Sequence, residues 1–185
     1  MKNFLTSMAA IALMLLGSQA QALTIDPATT TLDYWTSSAS PPSQGNIIAD
    51  FEAQLNALDP SRSMGTEYIK QDGNGETGSY AGSYTISTNF DDAGTIVYDG
   101  GGALSCPECF LMVKDGNATP KAYLFDLGNW DGEETITLSN FWPNGGAISN
   151  ISLWGTPGQV PVPAPLALLA VGLAGITLRR MMKQA

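Results

Sequence analysis

Apolar residues recur at helical spacing in one internal stretch. Ile47, Ile48, Phe51, Leu55 and Leu58 share a face, Ser43 or Asn46 can cap the segment, and Asp59-Pro60 stops it. Downstream the period changes to two. Short β-rich runs at residues 80–88, 95–98, 110–114, 122–127, 134–139 and 147–154 are separated by the turn clusters DGNGETG, DDAG, DGGG, KDGN, NWDGEE and WPNGG. Upstream, residues 29–44 are polar and end in Pro41-Pro42, which predicts a short strand around 32–35 and then a loop. Short strands with Gly-rich turns at such intervals predict a mainly β fold, an antiparallel β-sandwich-like domain carrying one amphipathic helix. No internal repeat and no second domain is visible in the pattern.

Both ends of the 185-residue chain depart from it. Residues 1–22 open with Lys2, run through an apolar stretch at 8–16 and finish with Ala20-Gln21-Ala22, the pattern of a signal helix cleaved after Ala22. Residues 160–185 begin Val160-Pro161-Val162-Pro163-Ala164, where the prolines forbid a regular helix. Residues 166–178 are uncharged, and Arg179, Arg180 and Lys183 form a basic stop. At about 1.5 Å per residue this run covers about 20 Å of a hydrocarbon core about 30 Å thick. A short transmembrane helix therefore requires neighbouring residues and snorkelling arginines. The basic end then lies in the cytoplasm and the body on the far side of the inner membrane. Three segments follow: a signal peptide at 1–22, an exported domain at 23–159 and a C-terminal sorting or anchoring segment at 160–185.

Charge sharpens this division. All 17 carboxylates but only Arg62, Lys70, Lys114 and Lys121 among the eight basic residues fall within 23–159, giving that segment a net charge of −13. So acidic a body lacks the cations that phosphate binding draws on, which disfavours nucleic acid and anionic membrane surfaces as partners. The chain contains no His. That removes His-based general bases, His-dependent nucleophiles and imidazole metal ligation, so no enzyme and no cofactor is expected.

Three groups of residues invite chemistry. Cys106 and Cys109, the two cysteines, form a C-x-x-C whose readings are a local disulfide, redox exchange or half a zinc site; export to an oxidising compartment favours the disulfide. Asp72-Gly73-Asn74-Gly75-Glu76 spaces oxygen ligands as calcium loops do, and Asp91, Asp92, Asp99, Asp131, Glu133 and Glu134 could join it. Plain turn chemistry accounts for the same residues. Trp35, Trp130, Trp142, Trp154 and several tyrosines are candidates for stacking on sugars, with Trp130 and Trp142 next to turns; such rings more often pack a core. A calcium-assisted carbohydrate-binding module is the alternative function, alongside a permanently anchored single-pass periplasmic protein. Glycoside hydrolysis by a pair such as Asp131 and Glu133 requires a separation that adjacency in a turn does not supply.

The Pro motif, short Leu/Ala/Gly helix and terminal Arg cluster resemble the PEP-CTERM sorting signal of Gram-negative bacteria. Residues 160–164 are closest to its VPLPA-CTERM variant, with Val162 in place of Leu. Lys114-Asp115-Gly116-Asn117, Tyr123-Leu124-Phe125-Asp126-Leu127, Trp130-Asp131-Gly132, Phe141-Trp142-Pro143 and Leu153-Trp154-Gly155 resemble the β-rich body found ahead of such tails, with Asn150 where that pattern often carries His. The resemblance implies a membrane-embedded exosortase-like protease as partner and transient residence in the inner membrane. It further implies a destination at the cell surface or in the extracellular matrix, association with surface polysaccharide or biofilm, and no assigned enzymatic chemistry.

Overall fold

The computed structural model describes residues 22–88, 92–104, 107–128 and 130–155. They form ten strands and, among the described residues, one helix. The strands are β1 (Leu23–Ile25), β2 (Tyr34–Ser37), β3 (Thr66–Asp72), β4 (Gly75–Thr77), β5 (Tyr84–Thr88), β6 (Gly94–Tyr98), β7 (Cys109–Lys114), β8 (Ala122–Asp126), β9 (Ile136–Leu138) and β10 (Asn150–Gly155). A four-stranded sheet runs β1-β9-β6-β5, and a six-stranded sheet runs β2-β8-β7-β10-β3-β4. The larger sheet is antiparallel throughout. In the smaller one β1 lies parallel to β9, a departure from the all-antiparallel expectation.

The helix α1 (Gln44–Leu58) forms where the periodicity predicts it. Ser43 is the N-cap, its hydroxyl accepting the Asn46 N–H at 3.3 Å, and the Asp59 N–H closes the other end on the Leu55 carbonyl. Ile47, Phe51 and Leu55 are buried, whereas Leu58 in the last turn overshoots the sheet and is exposed.

α1 covers the outer face of the six-stranded sheet, which makes the fold three layers: helix, large sheet, small sheet. β7 shows how the sequence encodes this. Cys109, Leu111 and Val113 face the small sheet, while Phe110 and Met112 join Ile47, Phe51 and Leu55 under the helix. A strand buried on both sides needs an unbroken apolar run rather than alternation. β10 does the same with Ile151 and Leu153 inward and Trp154 toward the helix. Burying each such Leu, Ile or Phe removes enough apolar surface to contribute about 1.5 to 3 kcal/mol.

β1, β3 and β4 were not expected from the pattern. β3 carries a β-bulge opposite Leu153 and Trp154, which sends the neighbours Tyr68 and Ile69 into one core and hides the period of two. β1 and β4 have three residues each, too few to show a period. Tyr84 ties loops together across the sandwich: its buried hydroxyl donates to the Gly132 carbonyl at 2.7 Å and accepts the Leu104 N–H at 2.8 Å. Gly132 has φ of 82°, and a side chain there would run into the Leu104 carbonyl, so glycine is required.

Candidate functional site

The sorting residues Val160, Pro161, Val162, Pro163 and Ala164, the basic residues Arg179, Arg180 and Lys183, and Ala20 all lie outside the described residues. Ala22 is exposed and directly precedes β1. Among the described residues no helix is long and apolar enough to cross a membrane. Cys109, buried at the start of β7, is disulfide-bonded; Cys106 lies outside the described residues.

The expected calcium loop is a β-hairpin. Asp72 pairs with Gly75 across a two-residue turn, its carboxylate accepting the Asn74 N–H at 2.8 Å and meeting the Lys70 ammonium at 3.0 Å. The Asn74 N–H, and after it Lys70, hold the Asp72 carboxyl below the usual carboxylate range. Glu76 turns to the other sheet and accepts the Ile86 N–H at 2.9 Å. Asp99 accepts the Thr85 hydroxyl at 2.6 Å. Asp131 accepts the N–H groups of Glu133 and Glu134, both at 2.9 Å, which lowers its pKa. Asp91 lies outside the described residues, and among those described no three Asp, Glu or Cys side chains converge as a metal site.

The tryptophans are not sugar platforms. Trp130 and Trp142 are each 5% exposed, with their indole N–H groups bonded to the Glu134 and Pro120 carbonyls at 2.9 and 2.7 Å. Trp154 is buried beneath α1 and donates to Ser152. Trp35 is half-buried under the Arg62 guanidinium. Large rings fill core volume, and each buried indole N–H finds an acceptor.

Two clefts stand out instead. One, about 580 Å³, lies at the end of the large sheet where β10 finishes, lined by Asp59, Arg62, Glu108 and Asp126. Its polar groups are committed to one another. Arg62 binds Glu108 at 2.7 Å and Asp126 at 2.6 Å while stacking 5.5 Å above both Trp35 and Phe110. Those two carboxylates outweigh the cost of partial burial and keep the guanidinium pKa above its ordinary value. This is a clasp joining the segment after α1 to β7 and β8. No family model, curated protein or solved structure matches the chain.

The second cleft lies along the edge strand β2, which supplies Tyr34. A groove of about 450 Å³ is lined by Pro27, Ala28, Tyr34, Tyr123, Asn140 and Pro143. A smaller one of about 180 Å³ adjoins it, sharing Tyr123 and Pro143 and adding Thr119, Trp142 and Asn144. Tyr34, on the edge strand β2, is 41% exposed and leans on Tyr123 and Phe125 with ring centroids 6.2 and 5.4 Å away. The wall formed by the β9–β10 loop is held firmly. Asn140 donates to Asp26 at 2.7 Å, Phe141 is buried, and the buried Asp115 accepts the Ala147 N–H at 2.9 Å. The tyrosines were candidates in the sequence only as a group, and Asn140 was not one. The adjacent aromatics Tyr34-Trp35 were the available signal, because neighbours on a strand face opposite sides.

Proposed function

We propose that this is an exported, non-enzymatic protein of the cell surface or extracellular matrix of a Gram-negative bacterium, carrying a PEP-CTERM-type signal at its C-terminus. The observation that carries the reading is the order of parts in the sequence. The acidic body at 23–159 is followed by a Pro motif at 160–164, then a short apolar stretch and a basic end. Both described sheets are built from residues that precede the Pro motif. Its singled-out carboxylates Asp72, Glu76, Asp99 and Asp131 hold turns and strand edges, which supports a structural or interactive role rather than catalysis. The exosortase-like protease is the implied processing partner, and the inner membrane a transient station.

The test is mass spectrometry of the C-terminus of protein purified separately from inner membrane, outer membrane and medium. Protein outside the inner membrane should end between Val160 and Pro165. An intact Ala185 confined to the inner membrane would refute the sorting reading and leave a single-pass periplasmic protein.

A further inference from the structure

We propose that the twin groove around Tyr34 and Tyr123 is a binding site for a neutral saccharide chain. This goes beyond the reading of the tail and does not depend on how the tail is processed.

The first observation is electrostatic. The body carries a net charge of −13, yet among the described residues neither groove is lined by an Asp, Glu, Lys or Arg, and the adjacent Asp26 carboxylate is tied to Asn140 and to the Ala28 N–H. On so acidic a surface a depression lined by uncharged side chains, with a single carboxylate already hydrogen-bonded at its border, disfavours anions and offers no countercharge to them, which favours uncharged ligands. The second is the composition of the lining. Tyrosine rings offer flat apolar faces, and Asn144, Thr119 and the tyrosines bring carboxamide and hydroxyl groups to the lining. Apolar faces bordered by a few convergent hydrogen-bonding groups match a pyranose, which has an apolar C–H face and a ring of hydroxyls.

The third observation is conformational. Asn140 and Trp142, with φ of 56° and 51°, are the two non-glycine residues at positive φ among those described, and both stand in the wall of this groove. Side chains in that region cost on the order of 1 kcal/mol or more each, and such residues persist where the surroundings hold them. Here the holding contacts are the Asn140 bond to Asp26, the Trp142 bond to Pro120 and the ring cluster of Tyr123, Phe141 and Trp142. A wall fixed this way is preorganised, so little ordering cost falls on ligand binding.

An aromatic groove of this kind also invites a proline-rich peptide. The geometry disfavours it, because the Trp142 indole N–H, the donor such a peptide's carbonyls would require, is already spent on Pro120 at 2.7 Å.

The experiment uses the full-length chain in a detergent without a sugar headgroup. Calorimetric titrations with cello-, malto-, manno-, xylo- and chitohexaose are set against polygalacturonate and decaproline. We expect one or more of the neutral hexaoses to bind, with no change on adding chelator. Tyr34→Ala should weaken that binding about tenfold or more through loss of stacking. Ala28→Arg, which puts a long charged side chain at an exposed position of the lining and leaves the tyrosines in place, should abolish it, while Leu58→Ala and Val97→Ala, at exposed sites elsewhere, leave it unchanged. If Tyr34→Ala fails to fold, Ala28→Arg decides. Failure of every neutral hexaose to bind, binding indifferent to Ala28→Arg, chelator sensitivity, or preference for decaproline or polygalacturonate would each overturn the proposal. None of these outcomes bears on where the C-terminus is cut.

Discussion

Replacing Tyr84 by Phe isolates one buried hydroxyl. The ring stays in the core, so no cavity forms, but the Leu104 N–H and the Gly132 carbonyl each lose a partner. A stranded buried polar group costs about 1 to 3 kcal/mol, and two of them sum to about 2 to 6 kcal/mol. For a body of this size that is a fall in Tm on the order of 10 °C. The same hydroxyl carries a pH signature. Burial pushes the Tyr84 pKa up from 10.0 to about 12. A pKa raised on folding means the folded state resists losing that proton. Its contribution is therefore complete below pH 10 and lost as pH climbs toward 12, about 3 kcal/mol in all. Tyr68 and Tyr123 are also raised by burial and keep an alkaline slope in both proteins, so the difference between them belongs to Tyr84. Thermal unfolding of wild type and Tyr84→Phe at pH 7, and urea unfolding of both across pH 9–12, measure the two effects. Tm values within about 2 °C at pH 7, together with parallel alkaline slopes, would refute the reasoning.

Other perturbations have equally definite outcomes. Arg62→Ala removes two ion pairs and two ring contacts at once, and urea unfolding should report a loss of about 1 to 3 kcal/mol; Arg62→Lys should recover less than half, because an ammonium cannot fork between Glu108 and Asp126 while lying flat on two rings. Glu76→Ala uncovers the Ile86 N–H on the outer edge of β5, and light scattering should show faster self-association than wild type. Asp131 has its pKa lowered by two backbone N–H groups, so its contribution is present above pH 3.8 and fades as pH falls through the lower folded value. Asp131→Asn keeps an acceptor that does not titrate, and acid unfolding followed by Trp fluorescence should be less steep in the variant; an unchanged slope counts against this account.

The sequence showed the helix and seven of the strands because their signals are local. Ile47, Phe51 and Leu55 lie one helical turn apart, and the runs ending in Thr88, Tyr98, Lys114 and Trp154 are framed by glycine-rich turns. The third layer was legible only indirectly. The run from Cys109 to Val113 is apolar without interruption, and that pattern alone does not say what lies on its second face. β1 was hidden because its partner, β9, lies more than a hundred residues away, and no short-range pattern records a parallel pairing of that span. The site was harder still. The tryptophans drew attention by size, and size is what sends them inward; Tyr34 stays at the surface because it sits on an edge strand. Strain at Asn140 and Trp142 has no sequence signature, since asparagine tolerates positive φ in any turn and a Trp there is imposed by Phe141, Pro120 and Tyr123 around it.

The position of β10 dictates the order of events during folding. Its neighbours are β3 and β7, so until residues 150–155 arrive the larger sheet exists as two unjoined pieces, with facing edges of unpaired N–H and carbonyl groups. A chain emerging amino end first during synthesis therefore exposes the β3 edge for roughly eighty residues. Distant pairings of this kind close slowly. The body zips shut only when its final strand has emerged, at which moment the Pro motif and apolar segment are next in line. Completion of the larger sheet is thus a late act of folding, and until then the unjoined edges are what a chaperone would need to shield.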